Sequence, residues 1–276
     1  EPVGELAHGV RAIAPMLNVT RTWNAVCALA TMRRCLALAF DYAHLRRAFG
    51  RVLIDQPLHR ATLSALHAQF AAAFHLVFFA TELLGHVETG SGTPNQAALL
   101  RVLTPLAKLW TGKLAVAIAS EACEALGGAG YIENTGMPLL LRDAQVFPIW
   151  EGTTNVLSLD VLRALSAHGI DGFIAEADAL LAEAGGDRHG VHATLAAARE
   201  WLTAHAGDRD RLEAGARGLA LTLARCFAAA LLARQAAWCA RERRDASAGE
   251  ALAIFAAQGL AHPGSLADQG AALRAR

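Results

Sequence analysis

Apolar residues at helical spacing, sustained over long stretches, restrict the fold of this chain more than any other feature. Within residues 9–45 they recur every three or four positions, and the same spacing returns in residues 57–85 and 96–126. This period places the apolar side chains on one face of a helix. Because the connections between the stretches are short, we expect an all-α fold in which the helices pack as an antiparallel bundle.

Local signals predict where these helices begin and end. Basic residues followed by Gly50 are typical of a helix C-terminus, and Pro57 suits the first turn of the next helix. We expect Pro105 to bend or interrupt the third helix, because proline lacks the backbone donor that the helix needs. A fourth helical pattern over residues 154–166 completes a four-helix domain, which we place at residues 9–166.

A second helical region follows Gly169 and forms a C-terminal extension, residues 167–276. Its expected helices cover residues 172–184, 190–205, 208–242 and 247–260. The extension holds 12 arginines, no lysine and 13 acidic residues. It therefore lacks the basic excess that is typical of DNA-binding domains.

The composition argues against several classes of protein. The chain is 54% hydrophobic and carries 25 basic and 25 acidic residues, so nothing in its net charge favours nucleic acid or an anionic membrane. The five cysteines form no CxxC pair, which favours a reducing compartment, and we expect the cytoplasm. Charged residues interrupt the apolar runs, so we expect no membrane span. The 11 histidines lack metal-binding spacing, and we expect no metal site.

Glu151 is the residue in this chain that is hardest to explain as scaffold. It follows an apolar run, residues 146–150, and precedes Gly152 and a helical pattern. Apolar neighbours such as Trp150 disfavour the charged form of a carboxylate, whereas a helix start favours it, and opposed influences of this kind are common at catalytic acids and bases. The alternative is that Glu151 only favours the N-terminus of the next helix.

Three other groups are candidates for ligand binding. The glycine-rich turn LGGAGY, residues 126–131, could bring backbone amides close to a phosphate, although it could equally be a helix C-cap. Arg46 could pair with a phosphate beside the aromatic face of Phe49, or only complement a helix C-terminus. Asn18 and Arg21 form a polar patch on an apolar helix, which could also be a solvated face.

Four motifs, taken together, resemble the C-terminal α-helical domain of acyl-CoA dehydrogenases over residues 1–166. They are YAHLRRAFGRVLIDQ (residues 42–56), LGGAGY (126–131), RDA (142–144) and IWEGT (149–153). The resemblance implies FAD, an acyl-CoA thioester and an electron-transfer flavoprotein as acceptor. It also implies that Glu151 removes the α-proton while the β-hydrogen passes as hydride to flavin N5.

The resemblance assigns further residues one by one. Glu151 would bind the thioester carbonyl through its backbone amide. The residues implied in binding FAD are Arg46, Phe49, Gln56, Gly127, Gly128, Thr153 and Asn155, and those implied in binding substrate are Asn18, Arg21, Trp150 and Gly152. In such enzymes Arg46 and the two glycines would meet the FAD of a neighbouring subunit, so we expect a homo-oligomer, either a dimer or a tetramer.

Four positions depart from the family pattern. Ala48 stands where threonine is common, Asn155 where glutamine is usual, Asn18 where aspartate is usual, and Trp150 where tyrosine is usual. Each departure puts one contact in doubt, and none of them concerns Glu151.

The tryptophan before Glu151, the IDQPL sequence and the long extension are most similar to the subgroup that includes the bacterial DNA-alkylation-response flavoprotein. An alternative function is therefore a helical module that binds DNA or protein in alkylation stress without dehydrogenating anything. We expect no DNA binding, although Arg241, Arg243 and Arg244 could form a basic face.

The resemblance also predicts a missing part. The family has an N-terminal helical domain and a middle β-domain, and residues 1–8 look like a remnant of that β-domain. The first residue is Glu1 rather than methionine. We therefore expect a fragment that is inactive alone.

Overall fold

The computed structural model describes residues 7, 9 and 13–261, and it is almost entirely helical there. Three long helices come first: α1 (Ala14–Leu45), α2 (Pro57–Glu88) and α3 (Pro94–Ala125). Each has a proline in its first turn, where the missing N–H donor has no intrahelical partner to lose. The expected β-domain remnant, residues 1–8, lies outside the described residues except for residue 7.

A small hairpin joins α1 to α2, which the sequence did not reveal. Strands β1 (Arg47–Ala48) and β2 (Arg51–Val52) pair in antiparallel register. The two turn residues, Phe49 and Gly50, have φ angles of 51° and 79°. Two consecutive positive φ angles are characteristic of a type I′ turn, and they hold Phe49 out in solvent at the end of the bundle.

Helix α3 is the centre of the bundle and packs against α1, α2 and three later helices, Met137–Ala144, Thr154–His168 and Arg209–Arg241. Pro105 lies inside this helix, which continues from Pro94 to Ala125, so the expectation of an interruption is wrong. Residues 102–112 of α3 are all buried. A long buried segment of this kind forms where neighbouring helices enclose it on every side, and packing then outweighs the loss of one hydrogen bond at proline.

Short elements connect α3 to the fourth bundle helix. They are α4 (Gly128–Tyr131), a 3₁₀ turn (Glu133–Thr135) and α5 (Met137–Ala144), and α6 (Thr154–His168) follows after the irregular residues 145–153. The sequence analysis did not predict α5. The pattern over residues 154–166 predicted α6 closely, and this helix packs against α3 and against the later helix Arg209–Arg241.

The extension consists of α7 (Asp171–Glu183), α8 (Val191–Ala204), α9 (Arg209–Arg241) and α10 (Ser247–Ala257). All four were predicted within a few residues. Helix α9 contacts α2, α3 and α6 as well as the other extension helices. One hydrophobic core thus runs from α1 to α10. The division at residue 166 stays a prediction, and the described helices on either side of it bury a common surface.

Three helices are long and apolar enough to cross a membrane, judged by length and composition only: α2, α3 and α9. Inside the folded chain, 83% and 78% of the most apolar windows of α3 and α9 are buried, against 33% for α2. The expectation that the apolar runs are too short for a span is therefore wrong for these three helices.

We expect Gly130→Ala to destabilise the chain by about 2 kcal/mol or more, as overpacked interiors do. A Cβ atom at Gly130 would lie 1.9 Å from the carbonyl oxygen of Cys123, at the end of α3. Urea unfolding measures the loss. Gly128→Ala is the matched control, because a Cβ there meets no atom within 4 Å. Equal stabilities of the two variants would contradict this close packing.

Candidate functional site

The candidate site is a tight turn just before α6 that carries Glu151. Glu151 has a φ of 58° and Gly152 a φ of 107°. The left-handed conformation is unfavourable for a residue with a side chain, so it persists only where surrounding contacts fix it. Thr153 then caps α6 in an extended conformation, and its side chain makes no capping hydrogen bond.

Two cations fix this turn from the inside. The Nε of Arg21, on α1, donates to the carbonyl oxygen of Glu151 at 3.3 Å. The Nζ of Lys108, on α3, donates to the carbonyl oxygen of Gly152 at 2.6 Å. Two successive carbonyls of the turn therefore face the bundle, and both accept from charged donors, which make stronger hydrogen bonds than neutral ones.

Lys108 is fully buried, with 0% of its surface exposed. Burial lowers the pKa of its amine, the positive charge of Arg21 lowers it further, and the charge of Glu151 opposes them, so that the pKa falls from 10.5 to about 8. The amine thus remains largely charged at neutral pH, and its hydrogen bond to the Gly152 carbonyl stabilises the buried charge.

A buried carboxylate, Asp160 on α6, completes the polar interior beneath the turn. It accepts from Arg21 at 2.8 Å and from Arg101 at 2.7 Å, and Arg163 lies 3.4 Å away. Burial alone would raise the pKa of Asp160, but the hydrogen bonds and charges of Arg101 and Arg21 outweigh it and hold that pKa below its ordinary value. Asp160 therefore anchors α1, α3 and α6 to one another through their arginines.

Close backbone packing holds the segment that leads into the turn. A Cβ atom at Gly112 of α3 would lie 3.2 Å from the backbone of Phe147 and Pro148. The side-chain amide of Asn24, fully buried on α1, donates to the Phe147 carbonyl at 3.3 Å. Its Oδ1 has no hydrogen-bond partner among the described residues. Residues 147 and 148 are thus fixed between α1 and α3.

The reactive groups of Glu151 itself are available. Its side chain is half-buried, and within the described part of the chain its carboxylate makes no hydrogen bond or ion pair and its backbone N–H no hydrogen bond. Of the apolar neighbours expected to desolvate it, only Phe147 is buried, while Ile149 and Trp150 are 62% and 41% exposed. These exposed side chains leave an apolar surface next to the carboxylate.

The implied substrate and nearby cofactor residues gather at this end of the bundle. Asn18 and Arg21 lie on the first turns of α1, and Thr153 and Asn155 lie at the start of α6. Arg21 is not a solvated side chain: 13% of it is exposed and its guanidinium is bonded to Asp160 and Glu151. Its role toward a substrate stays a prediction.

The remaining implied cofactor residues lie far away, at the opposite end. Arg46 caps the C-terminus of α1, Phe49 is 96% exposed in the hairpin, and Gln56 donates to the Ala48 carbonyl at 3.1 Å. Gly127, with a φ of 59°, follows α3 and leaves space where a Cβ would be, as does Gly128. A helix rises about 1.5 Å per residue, so Arg21 and Arg46 are separated by roughly 38 Å along α1.

The arginines considered as a DNA-binding face lie around the end of α9. Arg241, Arg243 and Arg244 are exposed, Glu242 lies among them, and the guanidinium of Arg244 sits over the Trp238 ring. Both signs of charge therefore mix on this surface. The expectation of no DNA binding stays a prediction.

With the fold and the turn described, the chain can be assigned to a class of flavin-enzyme domain. Residues 7–166 match the family described as acyl-CoA dehydrogenase, C-terminal domain, and the chain belongs to that family. The resemblance drawn from the four motifs is confirmed, including its subgroup.

Particular relatives are similar to the chain over most of its length. Acyl-CoA dehydrogenase family member 11 of Caenorhabditis elegans is 50% identical over 60% of the chain. Putative acyl-CoA dehydrogenase AidB of Escherichia coli (strain K12) is 37% identical over 63% of it. These matches span only 27% and 32% of the two relatives' own lengths.

The crystal structure of Caenorhabditis elegans ACDH-11 in complex with C11-CoA superimposes with a TM-score of 0.89 and 37% identity. That match covers 95% of this chain and 46% of the other, so it includes most of the extension. The prediction of an acyl-CoA-dehydrogenase-type bundle followed by a helical extension is confirmed.

The sequence analysis missed Lys108, Arg101 and Asp160. Each had a recognisable signal, because each is a charged residue on the apolar face of a helical pattern. Asp160 stands between Leu157 and Val161, and Lys108 stands between Ala107 and Leu109. Charged residues are almost never fully buried unless they are paired, so a charge on a core face predicts a partner across the bundle.

We expect the pH dependence of stability to report the buried amine. The unfolded amine has a pKa near 10.4 and the folded amine a pKa of about 8, so the unfolded chain binds more protons between these values and stability rises with pH there. Relative to Lys108→Met, the wild type should gain on the order of 3 kcal/mol of unfolding free energy from pH 7 to pH 10.5.

Denaturant unfolding of both chains at several pH values measures this difference. Lys113→Met is the control, because Lys113 is exposed on the same helix. A difference between wild type and Lys108→Met that does not change with pH would show that the amine titrates normally.

Proposed function

We propose that this chain is the C-terminal helical portion of an FAD-dependent acyl-CoA dehydrogenase, with Glu151 as the catalytic base. The observation that carries the proposal is the turn at Glu151. Its left-handed backbone is held by two buried cations, while its carboxylate and its backbone N–H make no hydrogen bond within the described residues. A base and a hydrogen-bond donor on one residue suit removal of a proton next to a carbonyl.

The chemistry of the substrate requires both groups. A proton α to a thioester is too weakly acidic for a carboxylate unless the developing negative charge on the carbonyl oxygen is stabilised. The free backbone N–H of Glu151 can donate to that oxygen, and a donor fixed in advance needs no reorganisation in the transition state. The carboxylate of the same residue then takes the α-proton.

The residues present fit FAD in their chemistry. Bound FAD would accept the β-hydrogen as hydride at N5, which leaves a 2-enoyl thioester. Thr153 has a side-chain hydroxyl that does not cap its own helix, so it is free to bind the cofactor near Glu151. At the opposite end, the exposed Arg46, the Phe49 ring and the open backbone at Gly127 and Gly128 suit a pyrophosphate and an adenine.

An acyl-CoA thioester is the proposed substrate, and an electron-transfer flavoprotein is the proposed acceptor. The exposed apolar side chains next to Glu151 in the chain, Ile149 and Trp150, suit an acyl chain and the adjoining domain of a longer protein. The name of the similar ACDH-11 structure, which is a complex with C11-CoA, supports this substrate class. We place the reaction in the cytoplasm.

Two half-sites on one chain support an oligomer. Five residues at the far end of the bundle form the Arg46 cluster: Arg46, Phe49, Gln56, Gly127 and Gly128. The Glu151 turn and the Arg46 cluster lie at opposite ends of α1, farther apart than one flavin dinucleotide reaches. One FAD therefore cannot contact both clusters of the same chain. In the proposed assembly each FAD lies between the Glu151 turn of one subunit and the Arg46 cluster of its neighbour.

We expect Glu151→Gln in the complete flavoprotein to slow flavin reduction by acyl-CoA at least a thousandfold, because an amide cannot take the α-proton. Anaerobic stopped-flow absorbance at the flavin band measures the rate. Flavin content should stay unchanged, since glutamine keeps the shape of the side chain. Flavin reduction at the wild-type rate would remove Glu151 from its proposed role.

Mixing two inactive variants tests the shared site. Arg46→Ala should weaken FAD binding in the neighbour's site, and Glu151→Gln should inactivate the subunit's own site. In a mixed dimer, one site carries both changes and the other carries neither. After subunit exchange we expect recovery of up to about a quarter of the wild-type activity. Arg46→Ala mixed with itself is the control, and no recovery in the mixed sample would mean that both clusters of one chain serve the same FAD.

A further inference from the structure

We propose that Lys108 is a positioning residue for the base: its buried ammonium group orients the Gly152 peptide and thereby aims the Glu151 carboxylate and backbone N–H at the substrate. This inference rests on the proposed function of Glu151. It assigns a role to a buried amine that proton abstraction does not itself use.

The first argument is geometric. Lys108 reaches from the middle of α3, where it is fully enclosed, to the Gly152 carbonyl at 2.6 Å. That carbonyl belongs to the Gly152–Thr153 peptide, one residue beyond Glu151, in a backbone with two consecutive left-handed residues. If this peptide rotated, ψ of Gly152 and φ of Thr153 would change, and the course of the chain from Glu151 into α6 would change with them. The hydrogen bond of Lys108 therefore influences the orientation of Glu151, although Lys108 is not itself a reacting group.

The second argument is that stability alone does not require a charged residue at position 108. Taking a charged amine out of water is costly, and replacing a buried charge by an apolar side chain of similar volume is often neutral or stabilising. Position 108 lies among buried apolar residues of α3, where a methionine would pack without that cost but would leave the Gly152 carbonyl without its donor. Satisfying that carbonyl does not require a charged donor, whereas a charged donor fixes its direction more strongly than a neutral one.

The third argument is that the two cations at the turn have different hydrogen-bonding partners. Arg21 holds the Glu151 carbonyl, but its guanidinium is also bonded to Asp160, so its position is set by α6. Lys108 makes its one hydrogen bond to the turn and to nothing else in the described chain. The charged groups that act on it are Arg21 from α1 and Glu151 from the turn, and Asp160 of α6 binds Arg21 instead.

This arrangement makes the rate of flavin reduction depend on the protonation state of Lys108. The pKa of the buried amine is about 8, so the cation that orients the turn is lost within an experimentally accessible pH range. The neutral amine donates a weaker hydrogen bond than the ammonium group. Flavin reduction should therefore slow as the pH rises above about 8, apart from any effect of Glu151 itself.

The test uses the complete flavoprotein and four variants: Lys108→Met, Lys108→Arg, the exposed control Lys113→Met, and Glu151→Gln. Stopped-flow flavin reduction by acyl-CoA is measured from pH 6 to pH 10. Flavin content and the affinity for a non-reducible acyl-CoA thioether are measured beside it. The thioether reports substrate binding without proton abstraction.

We expect Lys108→Met to slow flavin reduction by roughly ten- to a hundredfold, the loss that misplacement of a reacting group by about an ångström produces. Its rate should show no decline above pH 8, while flavin content and thioether affinity stay within about twofold of wild type. Lys108→Arg keeps a cation that does not titrate, so it should retain more activity than Lys108→Met and also lose the alkaline decline. Lys113→Met should behave as wild type.

Three results would overturn the positioning role. The first is a Lys108→Met rate within twofold of Lys113→Met. The second is a parallel loss of flavin, thioether affinity and rate, which would mark a merely structural residue. The third is a Lys108→Met protein that does not fold. A Glu151→Gln variant that still reduces its flavin would instead refute the proposed function, whatever the lysine variants do.

Discussion

Two carbonyl oxygens that face inward, those of Glu151 and Gly152, determine the arrangement of the surrounding polar groups. A carbonyl turned away from water needs a donor, and here the donors are the cations of Arg21 and Lys108. Two buried cations in turn need negative charge, and Asp160 supplies it to Arg21. Three helices are thus tied together by the requirements of one turn, and the carboxylate and N–H of Glu151 are left without a hydrogen bond in the described part of the chain.

The extension belongs to the same physical unit as the bundle. Helix α9 covers the sides of α3 and α6 that the first three helices leave open, and α10 packs against α2. Because α3 carries Lys108 and α6 carries Asp160, the helices behind the site contribute to its rigidity although they supply no residue to it. The extension therefore supports the site through packing, although none of its residues belongs to the site.

Periodicity was enough to predict the long helices, because their apolar faces are repeated over many turns. Short elements were missed, since α5 and the hairpin at Phe49 contain too few residues to show a period. For the site, the motifs indicated Glu151 and its neighbours. They did not indicate that Arg21 is bonded inward or that Lys108 reaches the turn, because contacts between residues 130 and 44 positions apart depend on how the helices pack. The interruption expected at Pro105 failed for the same reason: packing around α3 outweighs a local preference.

Gly112 on α3 determines how close the backbone before Glu151 lies to the bundle. Because it has no side chain, the backbone of α3 lies directly against the Phe147–Pro148 peptide, and a methyl group there would force that peptide outward by a few tenths of an ångström. Glu151 follows only a few residues later on the same rigid segment. The thickness of one residue on α3 thus sets how far the segment before Glu151 stands out from the bundle, and a larger residue at position 112 would move this segment without changing any of its hydrogen-bonding groups.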